Sequence, residues 1–214
     1  NMNNVSKYID HTNLRPDAIE SDIIKLCKEA LAFKFASVCI NPIHVPLAVS
    51  ILQNEKIKVS TVVGFPLGAT SSEMKFAESR FLTHQGAEEL DMVINIGALK
   101  QKEYGIVEND IARVVDAADG NPVKVIIETC LLNEEEMLRA CKIILNAGAA
   151  YVKTSTGFST EGARVEDIKL IKKNVGKDLG IKASGGIKTL EEVELMISAG
   201  ANRIGTSKSV IIVS

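Results

Sequence analysis

The chain has 214 residues, 46% of them hydrophobic and 24% charged, with a formal net charge of −2. That length suits one domain with a sizeable core, and the near-neutral balance argues against nucleic-acid or membrane-surface partners, which usually leave a basic excess. Trp is absent and aromatics make up 4%, so stacking platforms for bases or sugars are not expected.

The four cysteines, Cys27, Cys39, Cys130 and Cys141, form no C-x-x-C pair, and none stands near a histidine at zinc-ligand spacing. Reduced cytosolic thiols and no metal site are the expectation. The opening Asn-Met-Asn-Asn is polar and unlike a signal peptide, and no apolar run approaches membrane-spanning length. Both point to a cytoplasmic protein.

Taken in chain order, a short first strand is expected near Tyr8 to Asp10. Further strands are expected over Ser37 to Ile40, Val59 to Val63, Leu90 to Ile94, Val123 to Ile127, Tyr151 to Val152, Gly180 to Ala183 and Arg203 to Gly205. Most are continuous apolar runs rather than alternating ones, which suits parallel strands buried on both faces. The stretches between them carry helical spacing. Ile23, Leu26, Cys27, Ala30 and Leu31 fall on one helical face, and Val193, Leu195, Met196 and Ala199 do so less perfectly. Asp17 to Glu20, Thr70 to Glu73, Asn133 to Glu136 and Thr189 to Glu192 each pair a capping residue with Glu three positions on. Strand, short loop and capped helix, repeated, read as βαβ units.

An internal repeat gives a second check. Gln85-Gly86-Ala87, Ala147-Gly148-Ala149 and Ala199-Gly200-Ala201 look like helix ends with Gly just past the last turn. Five residues after each Gly come Asp91, Lys153 and Gly205, which should share one height near the exit ends of their strands. The expectation is an α/β fold, a single (β/α)₈ TIM barrel over residues 1–214. An open flavodoxin-like sheet would need fewer strands.

Barrel sites lie at the C-terminal strand ends. Charged residues interrupt apolar strands there at Asp91, Glu128, Lys153 and Lys182. Each alone reads best as a solvated or paired charge. Two lysines and a carboxylate at one level change that reading. Charge inside a barrel is costly unless compensated, and neighbouring ammonium groups in a low-polarity pocket favour a neutral amine on one of them. A neutral amine is what Schiff-base chemistry needs, with the second lysine and Asp91 free to move protons. Glu128 is read as a satisfied structural carboxylate. Ser184-Gly185-Gly186 and Gly205-Thr206-Ser207 follow the seventh and eighth strands, where barrels commonly bind phosphate through backbone N–H groups.

At this point a resemblance emerges. Val152-Lys153-Thr154-Ser155-Thr156-Gly157 and Lys182-Ala183-Ser184-Gly185-Gly186 are similar to signature segments of the deoxyribose-phosphate aldolase family. Asp10-His11-Thr12, Val38-Cys39-Ile40, Gly64-Phe65-Pro66-Leu67-Gly68 and Asp91-Met92-Val93-Ile94-Asn95 match family segments in order, so the match covers nearly the whole chain. The resemblance implies reversible cleavage of 2-deoxy-D-ribose 5-phosphate to acetaldehyde and D-glyceraldehyde 3-phosphate in a cofactor-free, metal-free enzyme of nucleoside catabolism. It implies Lys153 as the Schiff-base lysine, Lys182 as the second lysine and Asp91 as the relay carboxylate. It puts Gly157, Gly185, Gly186, Gly205 and Ser207 on the phosphate side, and Asp10, Cys39 and Thr156 in the pocket lining. Spacing alone does not say which lysine is the nucleophile. His44 and His84 are read as surface or packing residues, and His11 as a supporting neighbour of Asp10. A small-molecule sugar phosphate is the expected partner, and a homodimer is compatible with the family.

Two departures stand out. Some members carry Lys where this chain has Phe158, and Lys208, where serine is common, is a candidate replacement charge. After Ser207 only Lys-Ser-Val-Ile-Ile-Val-Ser follows, without the tail and terminal tyrosine usual in the family. Val210 to Val213 are expected to pack on the barrel or a partner subunit. Competing readings are another Schiff-base sugar-phosphate aldolase, a pyridoxal-phosphate barrel, and a non-catalytic sugar-phosphate sensor, against which the retained lysines argue.

Overall fold

In the computed structural model, which describes residues 5–214, the strands are β1 (Ile9–Asn13), β2 (Ser37–Ile40), β3 (Lys58–Val63), β4 (Glu89–Val93), β5 (Val123–Ile126), β6 (Tyr151–Lys153), β7 (Gly180–Ser184) and β8 (Arg203–Thr206). Each pairs in parallel with the next, and β8 returns to β1 through Ile9↔Ile204, Asp10↔Gly205 and His11↔Thr206. That last ladder closes the barrel and rules out the open-sheet alternative. The first strand begins at Ile9 rather than Tyr8, because Ser6–Tyr8 form a turn of 3₁₀ helix.

The helices on the outside are α1 (Glu20–Phe33), α2 (Val45–Leu52), α3 (Ser72–His84), α4 (Ile96–Lys100), α5 (Tyr104–Ala117), α6 (Glu134–Asn146), α7 (Val165–Val175), α8 (Leu190–Ala199) and α9 (Ser209–Val213). The expected capping boxes are present at Asn133 with Glu136 and at Thr189 with Glu192. The other two start differently. At α3 the cap is Ser71, whose hydroxyl accepts from the Met74 N–H, one residue later than Thr70. At α1 the cap position is Ile19, whose N–H donates to Asp22, while Asp17 is drawn off into an exposed pair with Arg15. Gly86, Gly148 and Gly200 all take positive φ at helix ends, where side chains with a Cβ are strained.

Strand side chains alternate between two environments. Outward residues such as Ile9, Val38, Leu90, Met92, Val125, Val152, Ile181 and Ile204 join the helices in one continuous apolar core. Inside the barrel, a small apolar group of Leu14, Cys39 and Val62 packs with Phe65. Asp10, Glu89, Asp91, Lys124, Lys153 and Lys182 are also buried and meet inside the barrel, so the continuous apolar runs of the sequence contain inward charges that their neighbours conceal. At the end of the chain, Ile212 and Val213 are buried, as expected for packing on the barrel, while Ile211 is exposed.

Outside the barrel a buried ion pair ties α3 to α5. Lys75 Nζ lies 2.6 Å from Asp110 and 2.9 Å from the Val93 carbonyl oxygen, with both side chains shut off from solvent. Breaking one partner of such a pair leaves an uncompensated buried charge, at about 3–5 kcal/mol. Asp110→Ala is therefore expected to lower unfolding free energy by about 3 kcal/mol or more, and Lys75→Met/Asp110→Leu to recover most of it, as read by urea denaturation.

Candidate active site

Seven ionisable side chains meet inside the barrel: Asp10 from β1, Glu89 and Asp91 from β4, Lys124 from β5, Lys153 from β6, Lys182 from β7 and Arg203 from β8. The register delivers them. Asp91 is paired with Lys124, Lys153 with Lys182, Lys182 with Arg203, and Asp10 with Gly205. Asp91 is the hub. Its Oδ1 accepts from Lys124 at 2.8 Å, and its Oδ2 from Lys153 at 2.9 Å and Lys182 at 2.7 Å. Asp10 binds Lys182 and Arg203, each at 2.6 Å, while Glu89 binds Lys124 at 2.6 Å and both Arg203 amino groups at 3.0 Å.

Burial alone would neutralise these groups. For Asp91 and Asp10 it pushes the carboxyl up, but the surrounding ammonium and guanidinium groups outweigh it and hold both below the usual carboxylate range. The two lysines of the sequence motifs part company here. Burial lowers Lys182, yet Asp10 and Asp91 more than restore it and raise it above an ordinary lysine. Burial lowers Lys153, Asp91 alone among carboxylates opposes this, and Lys182 reinforces it; the net direction is down. Charge counting agrees. The cluster holds three carboxylates and four bases, and Lys153 is the base with one carboxylate contact, where the others have two or three.

A cavity of about 710 Å³ opens at the C-terminal strand ends. Of the seven charged groups only Lys153 lines it. Thr156, Gly157, Gly185, Gly186, Gly205 and Ser207 line it too, as do Phe158 and Lys208. Asp91, Lys182, Asp10 and Cys39 do not; they are sealed beneath its wall. Gly157, Gly185 and Gly186 sit at positive φ, a conformation that side chains with a Cβ rarely adopt. Gly205 has a further reason to be glycine: a Cβ there would stand 3.0 Å from Lys182 Cε and 3.1 Å from Ser184 Cβ.

Glu128 keeps its structural reading, in a specific form. It adopts the left-handed region at φ 56° and is buried. Its carboxylate accepts from the Thr156 N–H at 3.1 Å and hydroxyl at 2.6 Å, so it anchors the loop after Lys153. His11 is not a neighbour acting on Asp10. Side chains alternate along β1, and its ring turns outward to Ser209 at 2.8 Å and Glu29 at 2.7 Å. His44 is half-buried and His84 exposed. Lys124, Glu89 and Arg203 were missed by sequence reasoning. Their signal was there, as charged residues two positions from, or paired across the sheet with, the chosen ones.

The profile of the DeoC/LacD family aldolases matches residues 4–207. The chain belongs to that family. Deoxyribose-phosphate aldolases of Clostridium perfringens and Thermococcus kodakarensis are 57% and 56% identical to it, covering 97% and 100% of this chain and 93% and 97% of theirs. Among solved structures, an aldolase named QR15 superposes with a TM-score of 0.94 at 41% identity, covering 98% of this chain and 94% of that one. The tetrameric deoxyribose phosphate aldolase of Aeropyrum pernix does so at 0.93 and 30%, covering 100% and 91%. The family is one of aldolases, so the cavity above Lys153 is read as an aldolase site.

Gly205→Ala tests the packing under that site. The added methyl group must displace Lys182, and small misplacements of reacting groups are costly. Aldol turnover is expected to fall by about tenfold or more, with stability lowered by about 1–3 kcal/mol through overpacking; turnover equal to the parent's would show that Lys182 has room to spare.

Proposed function

We propose that the chain catalyses reversible aldol cleavage of 2-deoxy-D-ribose 5-phosphate to acetaldehyde and D-glyceraldehyde 3-phosphate, with Lys153 as the Schiff-base nucleophile. The observation that carries this is the position of Lys153: one end of a buried cluster of four bases and three carboxylates, and its sole member on the cavity wall. The names of the relatives support the substrate and favour it over a pyridoxal-phosphate barrel or another sugar-phosphate aldolase.

The proposed steps follow from that position. The neutral Lys153 amine adds to the aldehyde carbon of the open-chain sugar, and loss of water gives a protonated imine. The imine draws the electrons of the C2–C3 bond towards nitrogen, the C3 hydroxyl gives up its proton, and glyceraldehyde 3-phosphate leaves. The remaining enamine takes a proton at C2, and hydrolysis returns acetaldehyde and the free amine. Lys182, held charged between Asp10 and Asp91, is suited to donate and recover a proton through Asp91, which touches both lysines. The substrate phosphate would lie against the Gly157, Gly185–Gly186 and Ser207 side of the cavity. Asp10 and Cys39 act from beneath the wall, and Thr156 from within it.

Among the described residues no helix is long and apolar enough to cross a membrane. The proposal extends to the cytoplasm, where sugar phosphates are held, and to a homodimer.

Incubation with acetaldehyde followed by borohydride reduction, with peptide mapping by mass spectrometry, tests the nucleophile. An ethyl group on Lys153 that disappears in Lys153→Ala is the expected result. No site-specific label in the parent removes the aldolase mechanism. Lys208, on the cavity wall and exposed, is the test of phosphate recognition. Lys208→Gln should raise KM for the phosphorylated sugar several-fold more than for free deoxyribose, since an ion pair at an exposed site is worth about 1 kcal/mol or less. An equal rise for both sugars would remove Lys208 from that role.

A further inference from the structure

Lys124 is fully enclosed and has no part in the steps above. It lies on β5 with no exposed surface, and it faces charged or polar groups from five neighbouring strands. They are Asp10 on β1 at 3.4 Å, Ser60 on β3 at 3.2 Å, Glu89 and Asp91 on β4 at 2.6 and 2.8 Å, Lys182 on β7 and Arg203 on β8. Packing alone does not demand a lysine there. Buried ion pairs are often replaceable by apolar residues of similar volume at no loss of stability.

We propose that Lys124 is a positioning residue for the aldol chemistry: through Asp91 it decides that Lys153, rather than another base of the cluster, is left without a full counter-charge. This rests on the aldolase reading given above. Lys124 occupies Asp91 Oδ1, which turns Oδ2 towards Lys153 and Lys182 and spends part of its negative charge away from them. With Lys124 present, four bases share three carboxylates, and Lys153 is the weakest held. With Lys124 removed, three bases would face three carboxylates, and Asp91 would be free to retain a proton on Lys153. The other titratable group facing Lys153 besides Asp91 and Lys182 is the buried Cys39 thiol from β2, which burial keeps protonated.

The sign is fixed by the geometry. Loss of a cation beside Asp91 favours the ammonium form of Lys153, so the neutral nucleophile becomes available only at higher pH. The acid limb of kcat/KM, and of borohydride trapping of acetaldehyde at Lys153, should move up in Lys124→Met. A move of one unit is about a tenfold loss near neutral pH, regained at alkaline pH. Glu89→Gln should move the limb the other way, because Lys124 then leans harder on Asp91. Lys124→Met/Glu89→Gln removes one charge of each sign, restores the surplus base, and should return the limb to the parent's position; Lys124→Arg should leave the limb in place.

A residue serving packing alone predicts something different: Lys124→Met slower at every pH with an unmoved limb, and no restoration by Glu89→Gln. That outcome overturns the inference. Thermal melts accompany each variant. If Lys124→Met does not fold, Glu89→Gln decides alone, with an unmoved limb again overturning the proposal. The parent sample separates the two levels of failure, since a parent with no adduct on Lys153 brings down the aldolase reading itself, whereas an adduct with unshifted limbs brings down only the role of Lys124.

Discussion

One carboxylate, Asp91, is where the charges inside this barrel meet. Three lysines on three different strands converge on its two oxygens, and they can do so because eight short parallel strands close into a ring. In an open sheet β4 and β7 would lie strands apart. In the barrel they face each other across the interior, close enough for the 2.7 Å contact between Lys182 and Asp91. Closure by the β8–β1 ladder also brings Asp10 and Arg203 together, and through them ties the network from β1 round to β4.

Such a cluster is expensive to bury, and its surroundings offset the cost. Ions removed from water need compensation by several close partners, since one contact rarely repays the lost hydration. Here Asp10, Glu89, Asp91, Lys124, Lys182 and Arg203 each have at least two opposite-charge contacts, while Lys153 has one. The apolar outer core holds the strands rigid enough to keep those distances. Glu128 does the same for the loop after Lys153, through two hydrogen bonds from Thr156. Reactivity is confined to the one place where compensation is incomplete.

The fold was largely legible in the sequence. Each expected strand overlaps an observed one, and the repeat built on Gly86, Gly148 and Gly200 does put Asp91, Lys153 and Gly205 into one interior layer. The capping boxes at Asn133 and Thr189 were readable because their partners are local. The start of α1 was not, since Arg15 competes for Asp17 and no pattern of helix propensity registers that pair. The site was half legible. Lys153, Lys182 and Asp91 stand out by motif, whereas Lys124 is hidden in Val-Lys-Val-Ile and Glu89 in Glu-Glu-Leu, where a charge looks like a strand edge in solvent. Register across strands shows that Lys124 turns inward beside Asp91, and alternation along β4 puts Glu89 on the same face as Asp91. His11 failed for the same reason in reverse, since adjacency in sequence along a strand means opposite faces.

The two motif lysines show most clearly what folding adds. In sequence they are equivalent: each lies towards the exit end of a strand, and each is followed by small residues and glycine. In three dimensions they differ in two ways that have separate origins. Lys182 sits between two carboxylates, with Asp10 of β1 at 2.6 Å and Asp91 of β4 at 2.7 Å. Lys153, on β6, touches Asp91 alone. Independently, the loops after β6, β7 and β8 open the cavity on the side of Lys153 and close over Lys182. Counter-charge and access therefore select the same amine, although one is set by barrel register and the other by loop glycines. A nucleophile needs both, since a neutral amine sealed from substrate and an exposed ammonium ion are equally unreactive.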